Sequence, residues 1–178
     1  HGVVLTKPHV VELILDLSGY TEDRDLTSLR LLEPSAGHGA FLLPAVRRLL
    51  QAARRKGLPP SSLSKNILAF DIDSSHVERT KHALLSTLRE LDVSQTTAQK
   101  LVDAWVFSGD FLLAPVSGVF DVVVGNPPYI RIEQLSPVLH AEYRKRFTTL
   151  YDRADLYVAF IERGLSLLSP QGSLSFIC

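Results

Sequence analysis

The sequence predicts an α/β protein: a doubly wound, Rossmann-like sheet, mostly parallel, formed by residues 1–178 as one domain. Three observations carry this expectation. Short apolar stretches alternate with longer stretches of helical periodicity, the pattern of successive βαβ units. A turn with two glycines, Gly37 and Gly39, joins the first of these strands to its helix. The most apolar strand runs straight into two consecutive prolines, Pro127 and Pro128, which stop a hydrogen-bond ladder and mark a strand tip. In such sheets the ligand sits beyond the C-terminal ends of the strands, where the strand order reverses.

Pro8 suits the first turn of a helix, and Val10, Val11, Leu13, Ile14, Leu15 and Leu17 give that helix an apolar stripe ending at Gly19. A strand is expected at about Leu29–Glu33, a turn over Pro34–Gly39 and a helix over Ala40–Lys56. Arg54, Arg55 and Lys56 close that helix, where cations favour the negative end of the dipole. Ile67–Ile72 reads as the second strand, followed by a helix capped at Ser74 or Ser75 and running to about Leu91. A polar helix from Ser94 to Asp103 precedes a short strand at Trp105–Ser108. Val119–Val124 is apolar enough to be buried on both faces. Asp155–Leu168 is expected to be helical with Leu156, Ala159, Phe160, Leu165 and Leu168 inward, and Pro170-Gln171-Gly172 to turn it into a last strand at Ser173–Cys178.

Composition bounds the function. With 46% hydrophobic and 21% charged residues, a chain of 178 residues buries a sizeable core, which excludes a disordered chain. A single cysteine, Cys178, excludes an internal disulfide framework and a multi-cysteine metal site, and makes a reducing cytoplasm the expected location. No apolar run approaches the roughly 20 residues of a membrane helix, so no membrane partner is expected. Nineteen basic against nineteen acidic residues leave no net charge, so any hold on nucleic acid needs local patches or another region. His38 reads as a turn residue, and His76, His82 and His140 lack partners at metal spacing; no metal is expected.

Glu33-Pro34-Ser35-Ala36-Gly37-His38-Gly39 forms the loop after the first strand. Glycine lets the backbone approach a ligand closely, and the following helix offers free N–H groups. A plain tight turn explains the two glycines equally well. Leu42 stands where a dinucleotide loop needs its third glycine, and no Gly-Lys-Ser/Thr follows, so dinucleotide and triphosphate loops fit poorly. Asp71 ends the second strand, where an acid accepts both hydroxyls of a ribose; the competing role is a helix cap, for which Asp73 is better placed. Asp110, after Gly109, could accept from an adenine amino group while Phe111 packs on a ring; an ordinary turn Asp serves as well.

Asn126-Pro127-Pro128-Tyr129 is the most informative stretch. Asn126 presents an amide oxygen, Pro127 a carbonyl with no companion N–H, and Tyr129 a flat ring, at a tip stiffened by proline. Two acceptors and a stacking surface suit a planar group bearing an exocyclic NH₂. The lone pair of such an amine is delocalised into its ring; accepting both N–H bonds draws the nitrogen toward a tetrahedral form that can attack a methyl group, so alignment and electrostatics replace a general base.

With both motifs in place, the sequence resembles the class I S-adenosylmethionine-dependent methyltransferases, and among them the N6-adenine DNA methyltransferases of restriction-modification systems with the gamma motif order. The matching elements are Thr6-Lys7-Pro8, the Glu33–Leu42 loop, Asp71, Gly109-Asp110-Phe111, Asn126-Pro127-Pro128-Tyr129, and Asp155-Leu156-Tyr157 through Ser173. Ile130-Arg131 with Glu133 further resembles the branch in which methylase and endonuclease share one polypeptide. The resemblance implies S-adenosyl-L-methionine as cofactor, with Thr6, Pro34, Ser35, Ala36, Gly37 and Gly39 around its methionine end, Glu33 on its amino-group side, Asp71 on the ribose, Ile72 on one adenine face, and Asp110 with Phe111 at the adenine. It implies Asn126, Pro127 and Tyr129 as catalytic residues acting on an adenine flipped out of double-stranded DNA, Arg131 as a DNA contact, and an endonuclease and a target recognition region as partners, fused or separate.

Two departures from the family pattern are visible. The family's sheet continues past a fifth strand and is followed by a second base-stacking aromatic and a recognition region, so this chain is expected to be a fragment. Gln171 and Ser175 are polar where the family is often glycine or apolar. The competing activity is N-methylation of a protein glutamine or of a guanine amino group in ribosomal RNA, since those enzymes share the Asn-Pro-Pro-Tyr tip; a non-catalytic DNA-binding remnant is the reading from a different class. Arg131, Arg144, Lys145, Arg146 and Arg153 leave the catalytic tip against Glu133, Glu142 and Asp152, which suits either DNA phosphates or a solvated helix face with internal pairs.

Overall fold

The computed structural model describes residues 6–178. Five parallel strands form one sheet, β1 (Leu31–Glu33), β2 (Ile67–Asp71), β3 (Val106–Ser108), β4 (Phe120–Gly125) and β5 (Leu168–Phe176), in the order β3-β2-β1-β4-β5. The helices are α1 (Pro8–Leu17), α2 (Leu42–Arg55), α3 (Ser74–Glu90), α4 (Gln95–Trp105), α5 (Pro137–Arg146) and α6 (Tyr157–Ser166). No helix among them is long and apolar enough to cross a membrane. The order reverses between β1 and β4, whose register pairs Leu31 with Val122 and Leu32 with Val123. That crevice is where a wound sheet binds ligands, and both prominent motifs, the loop after β1 and the tetrapeptide after β4, open into it.

Burial follows the sheet. Leu31 and Leu32 on β1, and Val122, Val123 and Val124 on β4, are fully enclosed, as central parallel strands require. α1 to α4 pack one core around Trp105, whose indole N–H donates to the Leu63 carbonyl at 3.1 Å. α5 and α6 pack the opposite core around Phe111, Phe120, Tyr143 and Phe160. α2 shows why the pattern works: Leu42, Ala45, Val46, Leu49, Ala52 and Ala53 recur at helical spacing and are buried, each large one contributing about 1.5–3 kcal/mol.

Three expectations are corrected. β5 begins at Leu168 rather than Ser173, because Pro170-Gln171-Gly172 lies within a register shift of the strand: Phe120 pairs with Leu168 and Val122 already with Ser173. The Ser169 hydroxyl donates to Asp121 Oδ1 at 2.8 Å and holds this irregularity to β4. Leu165, expected inward, is 55% exposed because α6 ends at Ser166 and gives its inner face to Ala159, Phe160 and Gly164. The helix after β2 is capped by Asp73, whose carboxylate accepts the Ser75 N–H at 2.8 Å, rather than by either serine.

Candidate active site

The site is built from the tips of β1, β2 and β4. After Glu33 the chain turns through Gly37 and Gly39, at φ +52° and +81°, values that glycine adopts without strain. The turn is tied on three sides: Ala36 N–H donates to Phe70 O at 2.8 Å, Gly37 N–H to Asp71 Oδ2 at 2.7 Å, and the Thr80 hydroxyl to Gly37 O at 2.9 Å. A side chain at Gly37 would meet nothing within 4 Å, so the loop rims open space.

Asp71 is 7% exposed, and its other oxygen accepts the Asp73 N–H at 2.9 Å. It therefore locks the glycine loop of β1 to the tip of β2. His76 Nδ1 lies 3.4 Å from Asp71 Oδ1, and the His76 ring meets His38 edge-on with centroids 4.7 Å apart. Thr80 was not singled out from sequence, and His76 was read there only as lacking partners at metal spacing; both lie on α3, at helical spacing, on the side facing the loop. Ile72 is 70% exposed at the strand tip, an apolar surface next to the carboxylate.

Glu33 is 1% exposed and its Oε2 has no hydrogen-bond partner among the described residues. Burial, reinforced by the Asp71 carboxylate, pushes the Glu33 carboxyl well above the usual range, toward the neutral acid. The adjacent strand ends beside it: a Cβ on Gly125 would lie 3.7 Å from Pro34 and 3.8 Å from Glu33. Asn126 follows directly. Its amide N–H donates to Thr6 Oγ1 at 3.3 Å, while its oxygen is buried with no partner among the described residues. Pro127 is buried. Tyr129 is 50% exposed, held by its hydroxyl to Ile177 O at 2.9 Å and neighboured by Tyr157 at 6.3 Å between ring centroids. Thr6, Glu33–Gly39, Asp71 and Asn126–Tyr129 thus converge on the β1–β4 crevice, although Thr6 precedes and Tyr129 follows nearly all of the sheet.

Asp110 and Phe111 sit differently. Asp110 accepts the Leu112 N–H at 2.9 Å through one oxygen and the Tyr143 hydroxyl at 2.6 Å through the other. Burial, that hydrogen bond and the charge of Asp110 raise the Tyr143 phenol pKa, so Tyr143 remains the donor. Phe111, expected to present its ring to a ligand, is 2% exposed and packs between Phe70 and Phe160 at 6.0 and 5.5 Å, with Arg163 over it at 4.9 Å. The crossover from β3 to β4 has no helix of its own to cover this face of the sheet, so Phe111 fills the core instead. Arg131 is exposed and lies in an isolated antiparallel bridge with Asp155.

Residues 65–178 match the family model described as Eco57I restriction-modification methylase. The chain is 49% identical over 180 residues to the Type II methyltransferase M.PaeR7I of Pseudomonas aeruginosa and 48% identical over 181 residues to M.XhoI of Xanthomonas vasicola; each alignment covers 99% of this chain, and 31% and 33% of the relative. A shorter stretch, 33% of this chain and 6% of the relative, is 38% identical to the Type II restriction enzyme and methyltransferase RM.Eco57I of Escherichia coli. The chain spans about a third of the length of the first two relatives. Among solved structures, the M protein of the Type I restriction enzyme EcoKI superposes with a TM-score of 0.66 at 14% identity, covering 97% of this chain and 33% of that one. A Listeria monocytogenes protein described as a class I S-adenosylmethionine-dependent methyltransferase gives 0.64 at 17% identity, covering 99% and 48%. These two likenesses establish the class I methyltransferase fold. The family match runs over more than half of the sequence and includes the second to fifth strands and the Asn-Pro-Pro-Tyr tip, and the chain belongs to the Eco57I restriction-modification methylase family.

Proposed function

We propose that this chain forms the catalytic domain of an N6-adenine DNA methyltransferase of a restriction-modification system. The observation that carries the reading is a pair of buried side-chain oxygens, Glu33 Oε2 and Asn126 Oδ1, that have no hydrogen-bond partner among the described residues and lie at neighbouring strand tips. A buried polar atom left unpaired costs about 1–3 kcal/mol, which a ligand donor recovers. Glu33 fits a cationic amino group, and Asn126 fits one N–H of an exocyclic amine.

The family of restriction-modification methylases uses S-adenosylmethionine, which supplies an electrophilic methyl group on a positively charged sulfur. The residues present fit such a molecule. Thr6 and the Ser35–Gly39 turn hold its amino-acid end beside Glu33, Asp71 has free lone pairs left for the ribose, and exposed Ile72 covers an adenine face. Asp110 borders the adenine pocket with its carboxylate already engaged by Tyr143. Asn126 Oδ1 and the Pro127 carbonyl accept the two hydrogens of the target amine, Tyr129 stacks on the base, and the Asn126–Thr6 hydrogen bond fixes the amide so that its oxygen, and not its nitrogen, faces the amine. Adenine within a duplex cannot reach this tip, so the base is flipped out at a cost of a few kcal/mol. Arg131 meets the DNA backbone, and an endonuclease and recognition region act with the methylase, as the combined name of RM.Eco57I illustrates for that relative.

Transfer of labelled methyl from the cofactor to unmethylated plasmid DNA, with nuclease digestion of the product, tests this. N6-methyladenine is the expected product. Label on cytosine refutes the adenine assignment, and label on protein or ribosomal RNA alone refutes DNA as the substrate.

A further inference from the structure

The segment between the catalytic tip and α6 leaves the sheet and returns to the same place. Ile132 N–H donates to Ala154 O at 3.2 Å, Leu156 N–H donates to Ile130 O at 2.8 Å, and Arg131 pairs with Asp155. Residues 131–155 are therefore a closed excursion that begins two residues beyond Tyr129. Most of it is anchored. Ile132, Tyr143, Phe147 and Leu150 are buried in the core under α6. The Glu162 carboxylate on α6 accepts four hydrogen bonds, from the backbone and hydroxyl of Thr148 and of Thr149, at 2.6–3.2 Å. Immediately beyond this clamp the chain projects. Tyr151 is 75% exposed, Asp152 has a φ of +48°, and the Arg153 side chain is 84% exposed. Arg144 donates to Asp152 O at 2.6 Å and holds the turn from the other side.

An aromatic ring held out on an anchored turn between cations suits a polyanion with stackable faces. Two of those cations, Arg131 and Arg144, have no carboxylate within 4 Å among the described residues, and the pairing of Arg153 with Glu133 at 3.5 Å is solvent-exposed and weak. We propose that the Tyr151–Arg153 turn is a DNA-docking element, in which Tyr151 packs against the duplex next to the target and Arg153, Arg131 and Arg144 engage its phosphates. This rests on the reading of the chain as a DNA methyltransferase. A single exposed aromatic is ordinary on any surface. The particular observation here is that a buried leucine, a four-bond carboxylate clamp and a strand-like bridge anchor the chain on both sides of this turn, next to the segment that follows the catalytic tip. Stacking and phosphate contact are separable by experiment, because stacking depends on the ring whereas phosphate contact depends on salt.

The test uses the full-length polypeptide that contains this domain, with a fluorescent duplex carrying its mapped methylation site. Tyr151→Ala is expected to weaken duplex binding and raise KM for DNA about tenfold, with Tyr151→Phe restoring both. Arg153→Gln is expected to lower the slope of log affinity against log salt by about one. Melting temperature and S-adenosylmethionine affinity stay at wild-type values in all three, whereas a merely structural role would shift them. Wild-type methylation of DNA together with unchanged binding, KM and salt slope in Tyr151→Ala and Arg153→Gln overturns this inference alone. Failure of the wild-type polypeptide to methylate any DNA overturns the underlying reading and this inference with it.

Discussion

Thr6 and Asn126 stand 120 residues apart in sequence and meet at 3.3 Å, the threonine hydroxyl accepting from the asparagine amide. The contact ties Thr6, ahead of α1, to the tip of β4 and leaves the Asn126 oxygen without a partner among the described residues. Asn126→Ala is expected to abolish methyl transfer with cofactor affinity nearly intact, since the lost acceptor is the one proposed to face the target amine. Thr6→Val removes one hydrogen bond that orients the amide, worth about 1 kcal/mol, and is expected to lower kcat several-fold. Single-turnover methyl transfer measures both; near-normal turnover by Asn126→Ala would sink the assigned mechanism.

Asp71 holds the Gly37 N–H at 2.7 Å and the Asp73 N–H at 2.9 Å from one buried carboxylate. Asp71→Ala is expected to weaken cofactor binding by one to two orders of magnitude, because the loop loses its tie and the ribose the acceptor proposed for it. Charge-assisted hydrogen bonds of this type contribute about 1.5–3 kcal/mol. Calorimetric titration with S-adenosylmethionine gives the affinity, and amide exchange at Gly37, faster in the variant, reports the loosened loop.

Glu33 makes the ligand-free protein sensitive to pH. Its folded-state pKa is raised by burial and by Asp71, so between the ordinary carboxyl range and that raised value the folded chain holds a proton that the unfolded chain has lost. Stability from this group therefore falls as pH rises through that window. Glu33→Gln is expected to raise the melting temperature of the ligand-free protein at neutral pH and to flatten its decline with pH, while weakening cofactor binding. A variant whose melting profile parallels that of the wild type from pH 4 to pH 8 would contradict this.

Gly172 lies within the register shift of β5, and a Cβ there would approach Phe120 O to 2.9 Å and Ser169 O to 3.1 Å. Both obstacles are backbone, which cannot swing aside as a side chain does. Gly172→Ala is expected to cost about 1–3 kcal/mol by forcing β4 and β5 apart. Denaturant melts would show a lowered midpoint; an unchanged midpoint would mean that the strand irregularity relaxes freely.

The alternation of strands and helices and both loops at the β1–β4 crevice were legible because they depend on local signals, namely apolar period, glycines and a Pro-Pro stop. The start of β5 was not, because Pro170-Gln171-Gly172 has turn composition, and what keeps it in the ladder is non-local: the pairing of Phe120 with Leu168 and of Ser169 with Asp121. The burial of Phe111 was equally out of reach, since it follows from α5 and α6 arriving over β4 from later in the chain. Tyr143 reaches Asp110 across 33 residues, and Thr80 reaches Gly37 across 43, with nothing in their immediate sequence to signal a partner. Sequence thus indicated which residues crowd the crevice, whereas the supports behind them emerged only from packing.

The bridge between Arg131 and Asp155 has a consequence for how such methylases diversify. A stretch that departs from and rejoins the framework through adjacent residues imposes no length on what lies between. Within residues 131–155, Ile132, Tyr143, Phe147 and Leu150 belong to the core and fix their own part of the excursion, so freedom of length falls on the exposed turn around Tyr151–Arg153, where an insertion would leave the spacing of β4 and α6 untouched.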